Sequence, residues 1–385
     1  MGGSAAGWPP APGQFARRHL GLDAAARAKV GQALGLGPNE NVIDRALPAD
    51  LRADPPGLAP PLGEPEAIAR LAELAGLNNP GRPLIGLGYY RTVMPSVIRR
   101  CVLENASWLT AYTPYQPEIS QGRLEALFVF QTMISELTGL PVAGASLLDE
   151  ATAAAEAMTL CNRVARGARP RLALDVDVFP QVRAVLETRA EPLGIELVDF
   201  DPDRPDPAAL AGAAGLYIQY QGASGRLTRL RESAELAHAA GALLVVGADP
   251  LMLAVVRPPA ADGADVVVGS TQRFGTPPGF GGPHAAYLAV RQDLVRQLPG
   301  RLVGLSRDAQ GGPALRLALV TREQHIRREK ATSNVCTAQV LLAVMAAMYA
   351  VWHGPDGLKR IARRVNAAAE VLRAALNGIG GVQAR

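Results

Sequence analysis

The chain has 385 residues, 48% of them hydrophobic and 19% charged, with a formal net charge of +4. That length supports a large core and more than one domain. No apolar run reaches the roughly 18 residues that a membrane-spanning helix needs, and no block of like charge marks a nucleic-acid surface, so neither partner is expected. Cys101, Cys161 and Cys336 lie far apart with no C-x-x-C pair. This fits buried thiols in a reducing cytoplasm and offers no metal-binding spacing. Lysine is scarce: Lys29, Lys330 and Lys359 stand among many arginines.

In chain order, residues 1–14 read as a loose tail, without the charged and apolar regions of a signal peptide. A helical extension is expected over 15–80. Its first helix has Asp23 near the start and Gly35 near the end, and its second runs over Pro65–Leu77 after a Pro- and Gly-rich linker. A large sheet domain is expected over 81–330. Pro95–Glu104 reads as helical, and Pro114 and Pro117 keep Trp108–Glu118 out of regular helix. A helix then starts with Ser120 in the N-cap position and ends at Gly139, and another runs from about Glu150 to Arg166.

Apolar strands and helices alternate from there. RLALDVD is a strand, Pro180–Thr188 a helix, IELVDF a strand, Pro207–Ala214 a helix and GLYIQYQ a strand. Leu227–Ala240 is a helix, followed by the strands ALLVVGAD, ADVVVGS and HAAYLAV. This alternation predicts a mostly parallel sheet covered by helices. Residues 331–385 read as a buried helix (Val340–Trp352) and a second helix (Pro355–Leu376) that opens a small domain. That domain is expected to be incomplete, because one helix cannot bury its own apolar face.

Four stretches carry a resemblance: ENASWLTAYTPYQPEISQGRLEALFVFQTMISELTG (Glu104–Gly139), LLDEATAAAEAM (Leu147–Met158), GSTQRFGTPPGFGGPHAAY (Gly269–Tyr287) and REQHIRREKATSNVCTAQ (Arg322–Gln339). They resemble the amino-terminal half of the glycine decarboxylase P-protein, the pyridoxal phosphate (PLP) subunit of the glycine cleavage system. FARRHLG, near the start, is similar to the long, fused form of that family. The resemblance covers nearly all the chain beyond residue 15. It implies an α/β fold of the PLP-dependent transferase fold type I, aspartate-aminotransferase-like, with a helical N-terminal extension. It also implies decarboxylation of glycine, with transfer of the aminomethyl group to the lipoyl arm of H-protein. In the family the cofactor lysine belongs to the carboxy-terminal half, either fused or a separate subunit. A dimer of halves or a higher oligomer is expected.

Three places bear on whether this half holds PLP. Where a fold-type-I enzyme often presents His-Lys after a strand, the chain has Gln272-Arg273. A guanidinium stays protonated and is a poor nucleophile, so Arg273 forms no Schiff base; it binds an anion or fills an interface. Asp149 and Glu150 stand at the helix start that usually takes the cofactor phosphate; they oppose a dianion there and favour helix initiation. Val246-Gly247-Ala248 occupies the pattern that often reads Asp-x-Ala. Asp249 follows, either reaching the site or capping the turn at Pro250. No cofactor-binding residue is therefore expected, with Lys330 left as a remote amine candidate.

The loop Ala111–Gln121 offers Tyr112, Thr113, Tyr115, Gln116 and Glu118 on a backbone stiffened by prolines. Such fixed polar groups suit work in a neighbour's site, with Tyr112 and Glu118 as catalytic candidates and Thr113, Tyr115 and Gln116 as substrate-binding ones. The competing reading is that the tyrosines pack an interface and Glu118 caps the helix at Ser120. Tyr89 and Tyr90 are weaker candidates. Two rival functions remain: a purely structural partner of the PLP-bearing half, and a self-sufficient PLP enzyme such as an aminotransferase or a desulfurase.

Overall fold

The computed structural model describes residues 19, 21–37, 42–53, 57, 62–79, 81, 86–110, 114–335 and 339–384. It divides into two units, Met1–Arg82 and Pro83–Arg385. In the first, α1 (Ala24–Ala33) starts at Asp23, whose carboxylate accepts from the Ala26 N–H at 2.7 Å. A short α2 (Val42–Ala46) and an amphipathic α3 (Glu64–Gly76) follow, and none of the three buries a residue.

In the second unit, helical turns over Ser96–Leu103 precede α4 (Gln121–Thr138), which ends at Gly139 with φ 73°. Ser120 sits at the N-cap position without a side-chain capping bond. The elements that follow are β1 (Val142–Ala143), α5 (Glu150–Val164), β2 (Arg171–Asp175), α6 (Pro180–Ala190), β3 (Glu196–Phe200), β4 (Gly215–Gln219), α7 (Leu230–Ala239), β5 (Leu243–Gly247), β6 (Val266–Ser270) and β7 (Ala286–Val290). Among the described residues these strands form one seven-stranded sheet in the order β1-β7-β6-β5-β4-β2-β3. Strands β2 to β6 pair in parallel, while β7 runs antiparallel to β6 and to β1. Both faces are covered, which is why these strands read as continuous apolar runs.

The period of two assigns the side chains to faces. Leu172, Leu174, Tyr217, Val245, Val266 and Val268 pack with the alanine-rich face of α5. Ala173, Leu216, Ile218, Leu244, Val246 and Val267 pack in the other core with α4, α7 and the last helix. A hairpin, β8 (Val303–Arg307) and β9 (Pro313–Leu317), forms a second sheet. Two glutamines of α4 serve as edge partners for it. The Gln121 amide donates to the Leu315 carbonyl (2.9 Å) and accepts from the Leu315 N–H (3.0 Å); Gln131 does the same with Val303 (3.0 and 2.8 Å).

The two helices expected over 340–376 are both present, following one another in the span α8 (Val340–Asn377) and separated by a kink at Gly354, where φ is 63° and ψ 175°. Its first part is core: Ala343, Val344, Met345, Ala346 and Ala347 are buried. Among the described residues no helix is long and apolar enough to cross a membrane.

One expected helix is corrected. Pro207–Ala214 forms only a 3-10 turn over Pro207–Leu210. Gly212 at φ 72° turns the chain into β4 before a helix has room to form.

Candidate active site at the strand ends

In an open α/β sheet the site lies in the crevice outside the carboxyl ends of the parallel strands. Here that crevice is bordered by Glu150 at the start of α5, Gln219 at the end of β4, Asp249 after β5, Ser270 at the end of β6 and Arg273 just beyond it. Asp149 caps α5, accepting from the Thr152 N–H at 2.7 Å. Glu150 accepts a hydrogen bond from the Gln219 amide at 3.0 Å, and Gln219 accepts one from the Tyr217 hydroxyl at 3.2 Å. Burial pushes the Glu150 carboxyl up to about 7; the Gln219 bond opposes this, and the charges of Asp249 and Asp149 add to it.

Arg273 turns back into this crevice. Its Nε lies 2.8 Å from an Asp249 carboxylate oxygen, and its guanidinium carbon sits 3.8 Å from the centroid of the Tyr90 ring. The other Asp249 oxygen accepts from the Leu251 N–H at 2.9 Å, so this one residue both caps the turn at Pro250 and reaches the site. Gln272 is buried; its amide donates to the carbonyls of Tyr90 (2.7 Å) and Thr276 (2.6 Å). The Gln272-Arg273 pair thereby clamps the GLGYY loop, Gln272 by its backbone and Arg273 by a ring. Tyr89 packs on His284 with ring centroids 5.3 Å apart.

These residues do not fit PLP. The open space at the strand ends is two cavities of about 10 and 20 Å³, whereas small-molecule pockets are of the order of 300–1,000 Å³. The basic side chain on the loop after β6 is a guanidinium already paired with a carboxylate, and among the described residues no amine lines the crevice. At Gly247 an added Cβ would lie 2.2 Å from the Tyr217 hydroxyl, so that part of the crevice admits no extra atom. Val246 is wholly buried in the sheet core. Lys330 lines a different cavity.

The polar loop is placed elsewhere. Tyr112 and Thr113 lie outside the described residues. The Tyr115 hydroxyl donates to Glu323 at 2.8 Å and accepts from Arg301. Arg301 Nε lies 3.2 Å from the same Glu323 carboxylate, and His325 meets the Tyr115 ring edge-on at 5.3 Å. Burial raises the Tyr115 hydroxyl above its usual range, helped by the Glu323 hydrogen bond and opposed by the Arg301 charge. Arg301, Glu323 and His325 line a cavity of about 500 Å³. Gln116 and Glu118 are exposed, with Glu118 on a 3-10 turn over Pro117–Ile119. No carboxylate caps α4. Arg301, Glu323 and His325 were not singled out from the sequence, although Glu323 and His325 lie in REQHIRREK, a signal that was available.

The glycine cleavage system P-protein family profile matches residues 17–383. A crystal structure of glycine decarboxylase (P-protein) of the glycine cleavage system, in inhibitor-bound form, is 39% identical with a TM-score of 0.87, covering 94% of this chain and 82% of that one. Sphingosine-1-phosphate lyase from Burkholderia pseudomallei (15% identity, TM-score 0.55, 86% and 78% covered) and apo cysteine desulfurase from Thermococcus onnurineus (14%, 0.51, 74% and 71%) share the fold. The fold is that of the PLP-dependent transferases of fold type I, and the chain belongs to the glycine cleavage system P-protein family.

Proposed function

We propose that this chain is the half of a P-protein that lacks the cofactor lysine. It supports decarboxylation of glycine, and transfer of the aminomethyl group to the lipoyl arm of H-protein, in a site whose PLP is held by a carboxy-terminal half. The observation that carries this reading is Arg273, paired with Asp249 and stacked on Tyr90 in a closed crevice. An amine-free, filled crevice leaves this chain to act by binding its partner half and shaping the partner's site.

The chain's own contribution is the loop Ala111–Gln121. Gln121 ties its end to β9, and Tyr115 holds Arg301 and Glu323 in the lining of the 500 Å³ cavity. The exposed Gln116 and Glu118 add further polar groups on the same loop, and the proposal extends to Tyr112 and Thr113 as candidates by sequence alone. A scaffold reading has its own support, because the Tyr115 hydroxyl is already engaged by two residues of this chain.

The test is reconstitution. The chain with PLP, H-protein and carboxyl-labelled glycine should release no labelled CO₂; adding a lysine-bearing carboxy-terminal half should restore release. Turnover by this chain alone would overturn the reading.

A further inference from the structure

A separate cavity of about 300 Å³ is lined by Arg163, Arg296, Arg322, Arg327 and Lys330, and the rest of its lining is neutral. These cations come from four places: the end of α5, the turn Gln292–Gln297, the turn Val320–Arg322, and the short helical turns at 324–330. Among the described residues none of the five has a carboxylate partner. Arg163 donates to the Gln297 carbonyl (2.9 Å), the Gln297 side-chain oxygen (3.4 Å) and the Thr159 hydroxyl (3.3 Å). Arg322 is buried; it donates to the carbonyls of Leu298 and Gly300, and its Nε is buried with no hydrogen-bond partner. The neighbouring acids are engaged elsewhere: Glu323 by Arg301 and Tyr115, and Glu156 by Arg189 at 3.0 Å. Burial lowers the pKa of both inner arginines; the Glu156 charge opposes this at Arg163, and at Arg322 the Glu323 charge opposes it while the Arg163 charge adds to it.

A buried Arg322 and a half-buried Arg163 that face one cavity with no carboxylate in contact are costly to desolvate. A protein that keeps it usually supplies the counter-charge from outside. We propose that this cavity binds an oxyanion of the phosphate class, with Arg163 and Arg322 at its inner wall and the exposed Arg296, Arg327 and Lys330 at its rim. Planar guanidinium forks suit tetrahedral oxyanions. Five cations favour a multiply charged anion over a single carboxylate. The cavity is at the lower end of the small-molecule range, so it accommodates a free phosphate or the phosphoryl group of a small metabolite. The site does not depend on the functional reading above.

The experiment is isothermal titration of the full chain, in chloride buffer of constant ionic strength, with inorganic phosphate, phenyl phosphate and acetate. Stoichiometric binding of phosphate or phenyl phosphate, with acetate much weaker, supports the site. Tighter phenyl phosphate assigns it to phosphorylated small molecules, and equal or weaker phenyl phosphate to the free ion. The double variant Arg296→Gln/Arg327→Gln changes only exposed rim residues, and should weaken binding by at least about tenfold while its melting temperature in chloride is unchanged. Absence of phosphate binding, acetate binding as tightly as phosphate, or affinity unchanged in the double variant would each overturn the proposal.

Discussion

Arg273 lies 2.8 Å from Asp249 and 3.8 Å from the centre of the Tyr90 ring, so the cation that follows β6 is committed to its own chain. Arg273→Lys restores an amine but not the space. Incubated with PLP and reduced with borohydride, this variant should carry no stoichiometric pyridoxyl group at position 273 by mass spectrometry. Stoichiometric labelling there would show that the crevice opens readily. Arg273→Ala removes one partner of a mostly buried pair, and should cost about 1–3 kcal/mol in urea unfolding.

Glu150 makes stability depend on pH. Its carboxyl is raised from the ordinary 4.5 to about 7, so between those values the folded chain binds a proton that the unfolded chain does not. This contribution is fully present below pH 4.5 and is lost as pH rises through 7. Glu150→Gln removes that titration, and should gain up to about 3 kcal/mol over wild type at pH 8 relative to pH 5. Asp175, pushed up to about 6 chiefly by burial, stays in both proteins, so the difference between their curves isolates Glu150. Parallel denaturation curves at the two pH values would rule this out.

Tyr115→Phe separates positioning from packing. The Arg301–Glu323 pair at 3.2 Å survives the loss of the hydroxyl, so the stability cost should be about 1 kcal/mol. If the loop serves the partner's site, the rate per assembled complex falls roughly tenfold or more while assembly and PLP content hold. If it only packs, assembly weakens and the rate per complex is normal.

Glu118 is exposed, so Glu118→Gln should leave stability within about 0.5 kcal/mol of wild type. A lower decarboxylation rate in the reconstituted enzyme would place the carboxylate in the shared site. An unchanged rate would remove it from the set.

The bend in α8 rests on Gly354, whose backbone angles lie in a region essentially reserved for glycine. Gly354→Ala should lower stability by about 1–3 kcal/mol, read as a drop in melting temperature. An unchanged melting temperature would mean that the bend relaxes freely.

The sequence by itself determined the sheet, because strands covered on both faces must be apolar throughout and separated by amphipathic helices. It also determined the absence of an amine after β6, since Gln272-Arg273 is visible in the letters, and it carried the family in YTPYQPEISQG and REKATSN. The hairpin β8–β9 was not legible: its strands are half-exposed and lack strong alternation, and they are held by Gln121 and Gln131, which lie over 170 residues away in the chain. The break between the last two helices was legible, because Gly354-Pro355 marks a helix end followed by a helix start. Only the tertiary structure decided where the polar groups meet. Tyr115 finds Arg301 and Glu323, Arg273 finds Asp249 and Tyr90, and five cations gather without a carboxylate. Pattern and propensity act over a few residues, whereas these partners lie far apart in sequence and are brought together by the order of strands in the sheet.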